Sequence, residues 1–171
     1  KAGRVIFYNA DKILWKIAAG QMAGFYRVPI EAEAVGSMVG RHDTQNGIES
    51  ALLMLPAALR GGGMFNGLGS CYNACGLSAE MIVIHADLSD LIGRIGEGII
   101  VSDWTLDAES ILSVGPGGSF LTEPLTIEHL RSGEFYTGGC FDRLGEQSPN
   151  RQEDSMLARA HERVETLSSQ I

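Results

Sequence analysis

The chain alternates between short apolar runs and longer segments in which apolar residues return every three or four positions. The first run, GRVIFYN at residues 3–9, is rich in β-branched and aromatic side chains and predicts a short buried strand. Leu14, Ile17, Ala18 and Phe25 then share one side of a helix that Asn9 or Asp11 can cap and Pro29 ends. IEAEAVGS, residues 30–37, alternates apolar with polar positions, the period of a strand with one face on the core. Residues 48–60 are helical again, with Ile48, Ala51, Leu52, Leu55 and Leu59 on one side and Pro56 placed to kink them. GMFNGLG, residues 63–69, predicts a third strand. Ser78 then caps a long helix that carries Glu80 in its first turn and Met81, His85, Leu88, Ile92 and Ile95 on one face. The order β-α-β-α-β-α over residues 1–100 predicts parallel strands joined by right-handed crossovers.

After Gly98 the pattern changes. Short helical pieces are broken by GPGG and RSGE, residues 134–150 follow no period, and a last helix carries Met156, Ala160, Val164 and Leu167 on one face. Residues 101–171 therefore read as a helical and irregular extension packed on the β/α portion within a single domain. Three β-α units cannot close an eight-stranded barrel, which takes about 250 residues. The chain is then either a small open α/β domain or the C-terminal part of a (β/α)8 TIM barrel with parallel strands. The leading lysine favours the second, a piece of a longer protein.

Charge and composition narrow the partners. A net charge of −8 offers no basic face for a nucleic acid. No apolar run reaches the length of a membrane span, and the first residues lack the pattern of a secretory leader. Three cysteines are too few and too odd for a disulfide framework, which favours a reducing, cytoplasmic setting.

The glycine-rich stretch GGGMFNGLGSCYNACG, residues 61–76, invites three chemistries. No Lys-Ser or Lys-Thr pair follows its glycines, and the dinucleotide-binding glycine spacing is not met, so a phosphate cradle is disfavoured. Cys71, Cys75 and His85 could hold a metal, but Cys140 is remote and the spacing is generic, so no resident metal is expected. His85, on the apolar face of its helix, reads as a hydrogen-bonded core histidine. The loop MVGRHDTQNG follows the second predicted strand, where β-α folds face their ligands. His42, Asp43, Gln45 and Asn46 there form either one rim of a ligand crevice or a solvated loop in which Asp43 or Thr44 caps the next helix. Phe65, Tyr72, Trp104 and Tyr136 lie near predicted strand ends, where aromatic faces can hold a quaternary ammonium.

Three blocks carry a resemblance. HDTQNGIESAL, GLSAEMIVIHADL, and SVGPGGSFLTEPLTIEHLR followed by FDR occur in the order and spacing of the trimethylamine:corrinoid methyltransferase family, which the chain resembles over nearly its whole length. The resemblance implies a (β/α)8 barrel of which this chain is roughly the last third. It also implies transfer of a methyl group from a methylated amine to the cobalt of a corrinoid on a separate cognate protein, part of one-carbon metabolism and methanogenesis. No pyrrolysine is present, so the branch that uses quaternary amines such as glycine betaine is the closer comparison. The rim residues His42, Asp43, Gln45, Asn46 and Asn66 become candidate corrinoid contacts. Phe65, Tyr72, Glu80, Trp104 and Tyr136 become candidates for an acidic, aromatic pocket around the amine. The glycine-rich stretch would then give clearance for the corrinoid or its carrier. Unpaired strand edges would favour a homo-oligomer. A truncated, non-catalytic homologue that docks a corrinoid protein or another subunit is the alternative.

Overall fold

The structure, a computed structural model, describes residues 3, 5–33, 35–59, 64–133, 135–142 and 155–170. It divides into two compact units. One comprises Lys1–Gly96 with Gly138–Ile171, the other Glu97–Thr137.

The first unit opens with α1, Ala10–Tyr26, where the Asn9 side chain accepts the Lys12 N–H at 2.9 Å. It stops at Arg27, left-handed at φ 54, with Pro29 close behind. Strand β1 covers Glu31–Glu33. Helix α2, Thr44–Leu59, packs against α1 and continues through Pro56, although proline withholds one helical N–H. Asp43 Oδ1 accepts the Asn46 N–H at 3.2 Å and so caps this helix. Strand β2, Met64–Asn66, pairs with β1 in parallel, Glu31 opposite Met64 and Glu33 opposite Asn66. Strands β3, Ser70–Cys71, and β4, Gly76–Leu77, form an antiparallel hairpin. Helix α3, Ala79–Glu97, starts where Ser78 Oγ accepts the Met81 N–H, and α7, Met156–Ser168, where Ser155 Oγ accepts the Ala158 N–H.

The expected C-terminal part of a parallel TIM barrel is not what the described residues form. They are mostly helical, and their sheet reduces to a three-residue parallel pair and a two-residue hairpin. The reasons are local. At the predicted first strand, the Phe7 N–H donates to Asn73 Oδ1 at 2.8 Å and Asn73 Nδ2 donates to the Val5 carbonyl at 2.9 Å. An asparagine side chain thus occupies the backbone groups a neighbouring strand would need. The predicted third strand ends at Asn66 because Gly67, at φ +84, leaves the extended path.

Helices rather than a sheet supply the core. Val35, Met54 and Ile92 are buried together, with Leu55, Ala58, Phe65, Leu68 and Leu88 packed on them. Beside this apolar cluster lies a polar joint. His85, on α3, is 0% exposed. Its Nδ1 accepts the Gly69 N–H at 2.9 Å, which places the ring proton of the neutral form on Nε2, 3.0 Å from Ser50 Oγ on α2. Burial, aided by the nearby His42, lowers its pKa to about 4. Gly69 must be glycine, since at φ +83 a Cβ would lie 2.5 Å from Ile82 Cγ1 and 2.9 Å from the Ser78 carbonyl oxygen.

The second unit contains α4, Asp103–Leu106, α5, Ala108–Val114, and α6, Pro124–Arg131. Ser102 and Thr105 form a reciprocal capping box, and Asp107 ends α4 while its side chain caps α5. A cavity of about 340 Å³ lies between α5 and α6, lined by Ile111, Phe120, Leu125 and Phe135 among others. None of its described residues is buried.

Apolar surface is also exposed in the first unit. Trp15 is 70% and Phe25 77% exposed on α1, with Leu14 and Met22 beside them.

The His85 joint has a stability signature. Unfolded histidine gains a proton below pH 6.5 whereas folded His85 resists it down to about 4, so folding weakens as pH falls through that window, by up to about 3 kcal/mol. His85→Gln, which can accept and donate without titrating, removes that part of the pH dependence. His85→Ala leaves the Gly69 N–H and Ser50 without their partner and lowers stability by about 2–4 kcal/mol at pH 7. Urea denaturation across pH 4–8 would contradict this if His85→Ala matched the parent chain.

Candidate functional site

Four side chains converge in the first unit at the start of α3. Ser78 Oγ donates to Glu80 Oε2 at 2.9 Å, and His42 Nε2 stands 3.4 Å from the same hydroxyl. From α7, His161 Nδ1 lies 3.0 Å from Glu80 Oε1, and its Nε2 lies 3.5 Å from Glu165 Oε1. His42, Glu80 and His161 line a cavity of about 520 Å³ together with Ser155, Leu157 and Ala158.

The electrostatics follow from these contacts. The hydrogen bond from His161, its own backbone N–H and Ser78 hold Glu80 ionised, with a pKa lowered to about 2. The bond to Glu80 and the charge of Glu165 raise the pKa of His161. Glu80 is therefore a fixed anion throughout the neutral range and not a proton donor. Glu80 and Glu165 flank His161, so the group keeps one net negative charge even with the imidazole protonated, and it attracts a small cation.

The sequence candidates are placed unequally. His42, Asp43 and Gln45 are exposed. Asp43 is engaged with Arg41 and the Asn46 N–H, and Gln45 donates to Glu49 Oε1 at 2.8 Å. Asn46 is only 2% exposed, and its Oδ1 accepts from Ser50 at 3.5 Å, so it belongs to the His85 joint. Asn66 is exposed and hydrogen-bonded to Glu31. Phe65 packs on the core cluster. Tyr72 sits in a left-handed turn, φ 56, with its ring where a Cβ on Gly40 would stand. Trp104 belongs to the second unit and stacks on His129, centroids 4.0 Å apart, and Tyr136 lies in that unit too. Of the ten candidates, the cavity brings together His42 and Glu80. All three cysteines are free thiols, and no cluster suited to a metal ion occurs among the described residues.

His161 escaped the sequence reading. Helical periodicity assigns it to the solvent face of the last helix, and nothing local links it to a carboxylate 81 residues away. Glu49 was missed as well. Its Oε2 accepts from Ser37 Oγ at 2.7 Å and the Met38 N–H at 2.8 Å, fixing the loop that carries His42 to α2.

Comparison with known proteins decides the family. The sequence profile of the trimethylamine methyltransferase (MTTB) family matches residues 1–170. The chain belongs to the trimethylamine methyltransferase family. It is 30% identical to the trimethylamine methyltransferase MttB of Methanosarcina thermophila over 137 residues, 73% of this chain and 28% of that protein. The Methanosarcina barkeri MttB is 28% identical over 162 residues, 88% of this chain and 30% of that protein. The glycine betaine methyltransferase of Desulfitobacterium hafniense strain Y51 is 25% identical over 168 residues, 98% of this chain and 35% of that protein. The chain thus spans between 28% and 35% of the length of these relatives. Among the described residues, no helix is long and apolar enough to cross a membrane.

The Glu80–His161 contact predicts its own titration. The raised pKa of His161 means that the stability it contributes is complete below pH 6.5 and fades as pH rises through the folded value above it. Glu80 adds stability above about pH 4.5 that is lost as pH falls towards 2. Histidine NMR should show the His161 ring titrating above 6.5, and Glu80→Gln should return it towards 6.5. An unchanged midpoint in the variant would mean the contact is absent in solution.

Proposed function

We propose that the protein works as an amine methyltransferase whose donor is a methylated amine, trimethylamine-like or a quaternary amine such as glycine betaine. The methyl acceptor is the cobalt of a corrinoid carried by a separate cognate protein. The family match over residues 1–170 carries this reading, and the charge of the Glu80 cavity agrees with it. The free thiols fit a cytoplasmic setting.

The reduced corrinoid supplies the nucleophile. What this chain contributes is binding, orientation and charge. Glu80, fixed by His161 and Ser78, faces the ammonium of the bound amine, and with Glu165 on the other side of His161 the group has one negative charge left to balance it. A methyl group leaves a quaternary ammonium without its bonding electron pair, so the amine departs neutral and needs no proton. An ionised Glu80 suits that role, since the reaction asks nothing of it as an acid. His42, Asp43 and Gln45 offer exposed polar atoms that fit contacts with a docked corrinoid carrier. Asn46, buried in the His85 joint, does not.

A second reading has its own observation. Trp15, Phe25 and their neighbours stand exposed, as the surface of a non-catalytic homologue that docks a corrinoid protein or another subunit would. Methyl transfer to a reduced corrinoid protein, followed by its absorbance with trimethylamine and glycine betaine as donors, separates the two. The enzyme reading expects turnover that Glu80→Gln lowers at least about tenfold, through loss of a charge partner for the donor, while the fold and carrier binding persist. Tight carrier binding with no transfer from any methylated amine would favour docking.

A further inference from the structure

Helix α7 is gripped from two sides. Arg159 and His161 stand on either side of Ala160, and at about 100° per residue their side chains leave the helix on nearly opposite flanks. Ala160 between them is 0% exposed. On one flank His161 Nδ1 lies 3.0 Å from Glu80 Oε1. On the other, Arg159 Nε and Nη2 both donate to the Cys140 carbonyl, at 3.0 and 2.7 Å.

Cys140 is anchored in its turn. Asp87 Oδ2 accepts its N–H at 2.5 Å, and its thiol is hydrogen-bonded to the same carboxylate. Burial and that bond push the thiol pKa up to about 11, so Cys140 serves as a donor and not as a nucleophile. Gly139 is what lets the carboxylate come so close. Its φ is +75, and a Cβ there would stand 2.0 Å from Asp87 Oδ2. Asp87 lies seven residues after Glu80, two turns along the same side of α3. Both flanks of α7 are therefore tied to one side of α3, directly at Glu80 and through the Cys140 peptide at Asp87. A helix held on one flank can roll about its axis, whereas one held on both cannot.

We propose that Asp87, Gly139, Cys140 and Arg159 form a clasp that positions His161, fixing the roll of α7 so that the imidazole meets Glu80. None of the four lines the Glu80 cavity, so they act on it only through the ring they place. Glu80 on α3 and Glu165 on α7 are the charged groups that meet His161, and His42 lines the same cavity from the loop before α2. The clasp rests on the Glu80–His161 contact and holds whatever the cavity binds, so a failure of methyl transfer leaves it standing.

Histidine NMR on the full chain tests it, because charge and position move the His161 midpoint in opposite directions. Arg159→Met removes a positive charge, which by itself raises the pKa of a nearby imidazole. Loss of the clasp does the reverse, and the midpoint should fall from its raised value towards 6.5, as in Glu80→Gln. Gly139→Ala changes no charge and pushes Asp87 off Cys140, and should lower the midpoint in the same way. Arg159→Lys, which keeps the charge and a donor, should return it towards the parent value. Unchanged His85 resonances would show that the core is intact in each variant. Should Arg159→Met fail to fold, Gly139→Ala carries the test alone. A parent-like His161 midpoint in Gly139→Ala, a raised one in Arg159→Met, or a lowered Tm with the midpoint unmoved would overturn the proposal.

Discussion

The first unit depends on one buried imidazole. With so few strand residues, its elements cannot be joined by a sheet ladder, and His85 does part of that work by taking the N–H of Gly69, just before the hairpin, and meeting Ser50 on α2. Because the ring is fully buried, both contacts exchange with no water, and losing one leaves a polar group stranded in the core. The start of α2 is tied to the same joint through Asn46. His42 lies two residues before that helix, and Ser78, the cap of α3, is the residue His42 approaches. The cavity around Glu80 is therefore framed by elements that His85 holds in register.

Glu80 shows how a helix terminus and a distant histidine divide the labour. The first turn of α3 favours a negative side chain through its unpaired N–H groups. His161 supplies the opposing charge from α7 and keeps the carboxylate turned to the cavity. The outcome is an anion with fixed position and little titration between pH 5 and 8, which suits an ammonium ligand better than proton transfer.

Much of this was legible along the chain, and the gaps have physical causes. Local rules found α1, α2, α3 and α7, the Ser78 cap and the burial of His85, and narrowed the cap of α1 to Asn9 or Asp11, because caps and helical periods are written within a few residues. The strands were overcalled. Residues 3–9 carry β-forming side chains, yet the Val5 carbonyl and the Phe7 N–H pair with the Asn73 side chain, a contact no period encodes. Asp43, read either as a crevice rim or, with Thr44, as a possible cap, caps α2, whereas Asn46 three residues on turns inward. His161, Glu49 and the Asp87–Cys140–Arg159 clasp act through partners far along the chain, so their neighbours in sequence reveal nothing of them. The family blocks compensate in part, since they match as ordered motifs whatever the strand assignment.

The most direct test of the account is whether a methylated ammonium ion occupies the Glu80 cavity. Tetramethylammonium titrated into the protein, with the imidazole resonances of His42 and His161 followed by NMR, reads that cavity from two sides. The account predicts saturable shifts at both rings, absent in Glu80→Gln, with His85 unaffected in its core. Rings that do not respond, or that respond equally without the Glu80 charge, would contradict it.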